Sequence, residues 1–219
     1  MPLRRRPRQL DLIPRRRKPG PKRRLDAGVS HAARTRLGRR WPLHVTLRMA
    51  DRVFSLRSRR AVRVIEAALR ASRDRFHPKV VQVSVMGNHV HLLVEAEDHL
   101  ELARAMQGLC IRIAKGLNKM MREHGVPSAR GRVFADRYHS RVLRTPSEVR
   151  NAVHYLRENR RHHFGGVSAH VDEYSSDGLL AGVVAAPTHW LITAGVQRRP
   201  RGRPSRRTPT ESTVLPRRR

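Results

Sequence analysis

Positive charge in this chain is concentrated at its two ends, and that distribution confines folding to the middle. Residues 1–40 hold 15 Lys and Arg against Asp11 and Asp26, and residues 197–219 hold nine Arg against Glu211, so the ends carry 21 of the 31 net positive charges. Both ends are rich in Pro, Gly and Arg with little periodicity; such segments bury too little apolar surface to offset chain entropy and are expected to be disordered in isolation. Residues 41–196 mix 24 basic with 14 acidic residues, as a folded basic domain would. The chain therefore divides into a basic tail (1–40), a globular part (41–165), an extension (166–196) and a second basic tail (197–219).

A net charge of +31 repels itself unless a polyanion neutralises it, so nucleic acid is the expected partner. Within the second tail, Pro200-Arg201-Gly202-Arg203-Pro204 looks like an AT-hook core, in which Arg201 and Arg203 would enter an A·T-rich minor groove. The one cysteine, Cys110, excludes an internal disulfide and a thiolate zinc site, and its place on a helical stripe makes it a small core residue. No stretch approaches the roughly 20 apolar residues that span a bilayer, and the N-terminal residues hold no apolar run long enough for a secretory signal. The expectation is a soluble cytoplasmic, nucleoid-associated protein with no membrane partner.

Periodicity supplies the elements. Leu43, Val45, Leu47 and Met49 alternate with His44, Thr46 and Arg48, which predicts a half-buried first strand. Residues 58–75 place Ala61, Val62, Val64, Ile65, Ala68 and Leu69 at helical spacing among arginines. Lys79 to Met86 and His89 to Glu95 are β-rich runs joined around Gly87-Asn88, which predicts a hairpin. Asp98 with Glu101 resembles a capping box opening a long helix to about Glu123, and 133–143 reads as one further extended segment. Thr145-Pro146-Ser147-Glu148 starts a last helix that should run from Ser147 to about His162. Strand, helix, strand, strand, helix, strand is the ferredoxin-like split β-α-β plan of an α+β fold, with an added C-terminal helix. One sheet face would pack on two helices and the other stay free for a ligand.

In Asn88-His89-Val90-His91-Leu92-Leu93-Val94, strand periodicity puts His89 and His91 on one face, while Val90, Leu92 and Val94 point to the other. The imidazoles are then about 7 Å apart along the strand and can converge on one divalent ion. Imidazole nitrogen with amide or carboxylate oxygen suits Mn2+ or Mg2+. On the last helix Asn151, Tyr155 and Asn159 form a row at spacing four beside the apolar stripe. Taken alone, a tyrosine on the flank of an apolar helix face is explained better by core packing than by chemistry.

These motifs together resemble the single-tyrosine HUH transposases, and among them the REP-associated tyrosine transposases of the IS200-like kind. The similarity rests on Asn88-His89-Val90-His91-Leu92-Leu93-Val94, on Tyr155-Leu156-Arg157-Glu158-Asn159, and on Gly131 to Tyr138, and extends from about Trp41 to Phe164. Many relatives have Asn-Pro at the end of the tyrosine motif, whereas Asn159 is followed here by Arg160. The resemblance implies a metal-dependent single-stranded DNA endonuclease and strand transferase. His89 and His91 would bind Mg2+ or Mn2+, Asn159 would be the third protein ligand, and Tyr155 would attack the scissile phosphate to give a 5′-phosphotyrosine. A phenol with the ordinary pKa of about 10 is a poor nucleophile at neutral pH, so a nearby cation or base must assist it.

Thr46 and Arg48 on the first strand, with Lys115 and Lys119 on the long helix, are expected phosphate contacts. With 4% aromatic residues, stacked bases have few platforms, which favours a hairpin read by shape and backbone attraction. A homodimer is possible, with the tyrosine helix serving either its own protomer or its partner's. The competing expectation is a non-catalytic DNA-binding or regulatory protein that keeps the same fold.

Overall fold

The computed structural model describes residues 41–73, 75, 77–126, 131–164 and 171–197, and of 160–164 the backbone alone. The expectations for the two tails, with Arg201 and Arg203, fall outside the described residues. Among the described residues no helix is long and apolar enough to cross a membrane.

Among the described residues the strands and α-helices follow in the order β1 (Pro42–Arg48), α1 (Arg59–Arg73), β2 (Lys79–Val85), β3 (His89–Glu95), α2 (His99–Glu123), β4 (His139–Val142) and α3 (Pro146–Phe164). The four strands form one antiparallel sheet in the order β2-β3-β1-β4. β1 and β2 thus run parallel with β3 between them, which is the expected split β-α-β arrangement. The alternation in β1 is realised: Leu43, Val45 and Leu47 are buried, and Arg48 is exposed on the opposite face. Against the buried face pack Val62, Ile65 and Leu69 of α1 and Leu102, Met106, Leu109, Ile113 and Leu117 of α2. The two helices approach closely at Gly116, where a Cβ would overlap Cγ1 of Val64.

Capping sets the helix starts. Asp98 accepts hydrogen bonds from the backbone of Leu100 (2.7 Å) and Glu101 (2.8 Å), and the Glu101 bond is the main reason its carboxyl stays below the usual range. At α3, Thr145 Oγ1 accepts from Glu148 N (3.2 Å) while Glu148 Oε2 accepts from Thr145 N (3.1 Å), a complete capping box.

Two expectations are corrected. The extended segment 133–143 pairs as a strand only over His139–Val142, with an isolated bridge from Phe134 to Met49. Between them Asp136 Oδ1 accepts from Arg137 N (2.7 Å), a local turn that competes with strand pairing. The second sheet face is also not left open. Leu93 faces it, and α3 needs a partner for its own apolar stripe, so Leu93, Leu143, Val149, Ala152, Leu156 and Leu191 form a second core there. At the end of the face near His89 a cleft remains.

Residues 171–197 build much of this cover. They run along the outer edge of β2, where Val85 N donates to Tyr174 O (2.9 Å), Ser176 N to Val83 O (2.8 Å) and Ala185 N to Val80 O (2.8 Å). That pairing protects what would otherwise be a bare strand edge. The segment is clasped by Arg57, whose guanidinium meets both carboxylate oxygens of Asp172 at 2.7 and 3.0 Å and lies 4.7 Å from the Tyr174 ring centre.

Candidate active site

The site is assembled from three neighbouring elements. On β3, Val90, Leu92 and Val94 are fully buried in the main core, which turns His89 and His91 to the second face. Their rings lie 6.0 Å apart and nearly parallel, at 14°. The antiparallel register sets Thr46 of β1 opposite His91 and Arg48 opposite His89. From β1, both Thr46 Oγ1 (3.2 Å) and His44 Nε2 (3.3 Å) approach His91 Nδ1.

Such contacts hold both imidazoles of β3 through Nδ1. Burial, with the nearby charges of His139 and Arg141, pushes the His44 pKa down and keeps that ring neutral. His44 Nε2 and Thr46 Oγ1 both engage His91 Nδ1, which leaves Nε2 as the His91 nitrogen not used in these contacts. His89 Nδ1 stands 2.6 Å from Asn88 Oδ1, an oxygen that only accepts, so Nδ1 carries a proton and donates it there. An imidazole fixed through one nitrogen by a second group, with the other nitrogen basic, is the usual state of a metal-binding histidine.

Tyr155 reaches this cluster from α3. Its ring meets His91 edge-on, with centres 5.3 Å apart at 87°, and His44 at 5.9 Å and 61°. Thr46, Ser55, Asn88, His89, His91 and Tyr155 line a cleft of about 540 Å³. Tyr138 and Tyr174 pack instead against the main core.

The other residues singled out in the sequence are scattered. Asn159 follows Tyr155 by one helical turn; it is fully buried, neither amide atom has a hydrogen-bond partner, and it does not line the cleft. Arg48 is exposed at the end of β1, on the His89 side. Lys115 and Lys119 belong to α2, which packs on the opposite face of the sheet from the imidazoles, and Lys119 pairs with Glu123 at 3.7 Å. Among the described residues no group of three or more His, Cys, Asp or Glu is arranged to hold a metal ion. The cleft offers two imidazoles and a phenol, and the unsatisfied amide of Asn159 follows that phenol by one helical turn; this nitrogen and oxygen set fits Mg2+ or Mn2+ completed by water or phosphate oxygens.

Sequence reasoning missed His44 as a member of the cluster. Its signal was present, since it shares the polar side of the first strand with Thr46, but its partner depends on strand pairing.

The sequence profile of the family described as "Transposase IS200 like" matches residues 40–159. The chain belongs to the IS200-like transposase family. The matched segment begins just before β1 and ends at Asn159, so it contains both imidazoles of β3 and the tyrosine of α3. Curated proteins give no match. Among solved structures, a REP-associated tyrosine transposase bound to a REP hairpin is 13% identical, with a TM-score of 0.49, covering 63% of this chain and 76% of the other. A putative transposase from Deinococcus radiodurans is 16% identical (TM-score 0.41; 61% of this chain, 98% of the other). A bacterial tRNA(His) guanylyltransferase-like protein in complex with ATP is 15% identical (TM-score 0.42; 57% and 60%). Family membership rests on the sequence match, and a transposase-like function follows from it.

Proposed function

We propose that this member of the IS200-like family is a metal-dependent enzyme that nicks and rejoins single-stranded DNA through Tyr155. The observation that carries the proposal is the edge-on contact of Tyr155 with His91 in an open cleft, formed within one chain. Oη of Tyr155 attacks the scissile phosphorus, the bond from phosphorus to the 3′ oxygen breaks, and the strand is held as a 5′-phosphotyrosine. The phenolic proton is lost and the departing 3′ oxygen gains one. The ester conserves the energy of the broken bond, so a 3′-OH can attack it and join the strand without ATP.

His89 and His91, through Nε2, and Asn159, through Oδ1, would hold Mg2+ or Mn2+. Bound there, the ion would polarise a phosphoryl oxygen and offset the charge of the attacking and leaving oxygens. His44 and Thr46 fix the orientation of His91, and Asn88 that of His89. Arg48 is assigned to a phosphate of the same strand, beside His89. Lys115 and Lys119 lie too far round the fold to share it and are left to DNA outside the cleft. Arg201 and Arg203 are assigned to duplex DNA flanking the target. Because Tyr155 meets His91 of its own chain, a homodimer is not needed to assemble the site.

The test is Tyr155→Phe on a hairpin-bearing single-stranded oligonucleotide with Mn2+. Cleavage and the covalent adduct should disappear while binding stays within about threefold, since one hydroxyl is lost. Nicking that persists in the variant removes Tyr155 as nucleophile. A wild-type chain that binds without ever forming an adduct supports the non-catalytic DNA-binding reading.

A further inference from the structure

Both tryptophans of the chain converge on one imidazole, far from the tyrosine cleft. Trp41 lies 6.1 Å from His189 between ring centres, and Trp190 stacks on the same ring at 6.4 Å and 28°. The segment that carries them is pinned by Glu95, a buried carboxylate at the end of β3. It accepts from Thr188 N (2.9 Å), Thr188 Oγ1 (2.6 Å) and His189 N (2.9 Å). One part of the Trp190 indole rests on Gly195, where a Cβ would come within 3.0 Å of Cζ3 and 3.2 Å of Cε3, so only glycine lets the ring lie against the backbone. The indole nonetheless stays 50% exposed.

Beside it opens a cavity of about 430 Å³. Thr188, His189 and Trp190 line it together with His77, Lys79, Glu95 and Glu97. It lies at the Glu95 end of β3, about 20 Å along the strand from His89. Its aromatic wall belongs to residues beyond the family-matched segment.

We propose that this cavity is a second DNA subsite that holds one unpaired nucleobase stacked on Trp190 and His189. Glu95 and Glu97 exclude a phosphate from the interior, while Lys79 and His77 give the flanking phosphates a place at the rim. A rigid, half-exposed indole offers a flat face to any of the four bases, and every base has a π face to match. A chain with only 4% aromatic residues thus places Trp190 where a splayed base can be held, beside the His189 ring that Trp41 also meets. The subsite rests on the DNA-acting reading above but not on the tyrosine chemistry.

The test measures binding of the full chain to an oligothymidylate of about 15 nucleotides and to an abasic strand of equal length. Salt of about 0.3 M keeps attraction by the tails from masking the difference. Trp190→Ala should weaken oligothymidylate binding about 5- to 100-fold and leave the abasic strand unchanged, and Trp190→Phe should recover most of the loss. No loss, or an equal loss on both strands, overturns the proposal. Should Trp190→Ala fail to fold, Trp41→Phe leaves Trp190 as the one indole fluorophore. Oligothymidylate should quench it and the abasic strand should not; absence of quenching overturns the subsite. Quenching without any tyrosine adduct in the wild type would refute the nicking reading alone, and an adduct without quenching would refute only the subsite.

Discussion

Replacing Asn159 by Leu should make the fold more stable and the enzyme inactive. The Asn159 side chain is 0% exposed, and both Oδ1 and Nδ2 lack a hydrogen-bond partner. A buried amide left unsatisfied costs about 1–3 kcal/mol, and leucine in its place removes that cost while extending the apolar contacts around Leu156. Some overpacking offsets part of the gain, so the net effect should be about 2 kcal/mol, or about 4–8 °C in Tm for a fold of this size. Thermal unfolding in EDTA measures it. Added Mn2+ should then raise the Tm of the wild type but not of the variant, because only the wild type keeps the amide oxygen that would help hold the ion. Adduct formation on a single-stranded oligonucleotide should be lost. An unchanged or lower Tm in EDTA would show that the amide is satisfied after all. A stabilised variant that still forms the adduct would remove Asn159 from the chemistry.

Three further outcomes are expected. His44→Ala leaves Thr46 alone to orient His91, so Mn2+ affinity measured by calorimetry should fall about tenfold; equal affinity would mean that His44 does not hold the ligand in place. Arg57→Ala strands the Asp172 carboxylate, whose side chain is 2% exposed, and should cost about 3–5 kcal/mol in urea unfolding, while Arg57→Met with Asp172→Leu should recover more than half of it. Glu148 has its pKa lowered chiefly by the hydrogen bond from Arg144 N and further by Arg141 and Thr145 N. Its contribution is therefore present above the ordinary carboxylate pKa and lost as pH falls through the lowered value. Between about pH 5 and about pH 3 the wild type should lose more Tm than Glu148→Gln, and parallel losses would refute the cap's role.

Much of the fold was legible locally. The alternation in Leu43 to Met49 and in His89 to Glu95 fixed which side chains face the core, and the Thr145 to Glu148 capping box placed the start of α3. Those features are short-range: a strand alternates every second residue and a cap spans four, whatever the rest of the chain does. The same periodicity put His89 and His91 on one face and Tyr155 on the flank of a helix.

What the tertiary structure alone decided is which of these faces meet. The hydrogen bond between His44 and His91 spans 47 residues, and the Arg57 clasp on Asp172 spans 115, so neither leaves a mark in any local window. The expected free sheet face is covered because α3 and residues 171–197 must bury their own apolar side chains somewhere, a demand set by the whole core rather than by any one segment. Residues themselves supplied the imidazoles, the phenol, the amide and the two tryptophans. Only strand register and helix docking, which depend on burial between distant segments, brought the imidazoles and the phenol to one cleft and set Trp190 beside another.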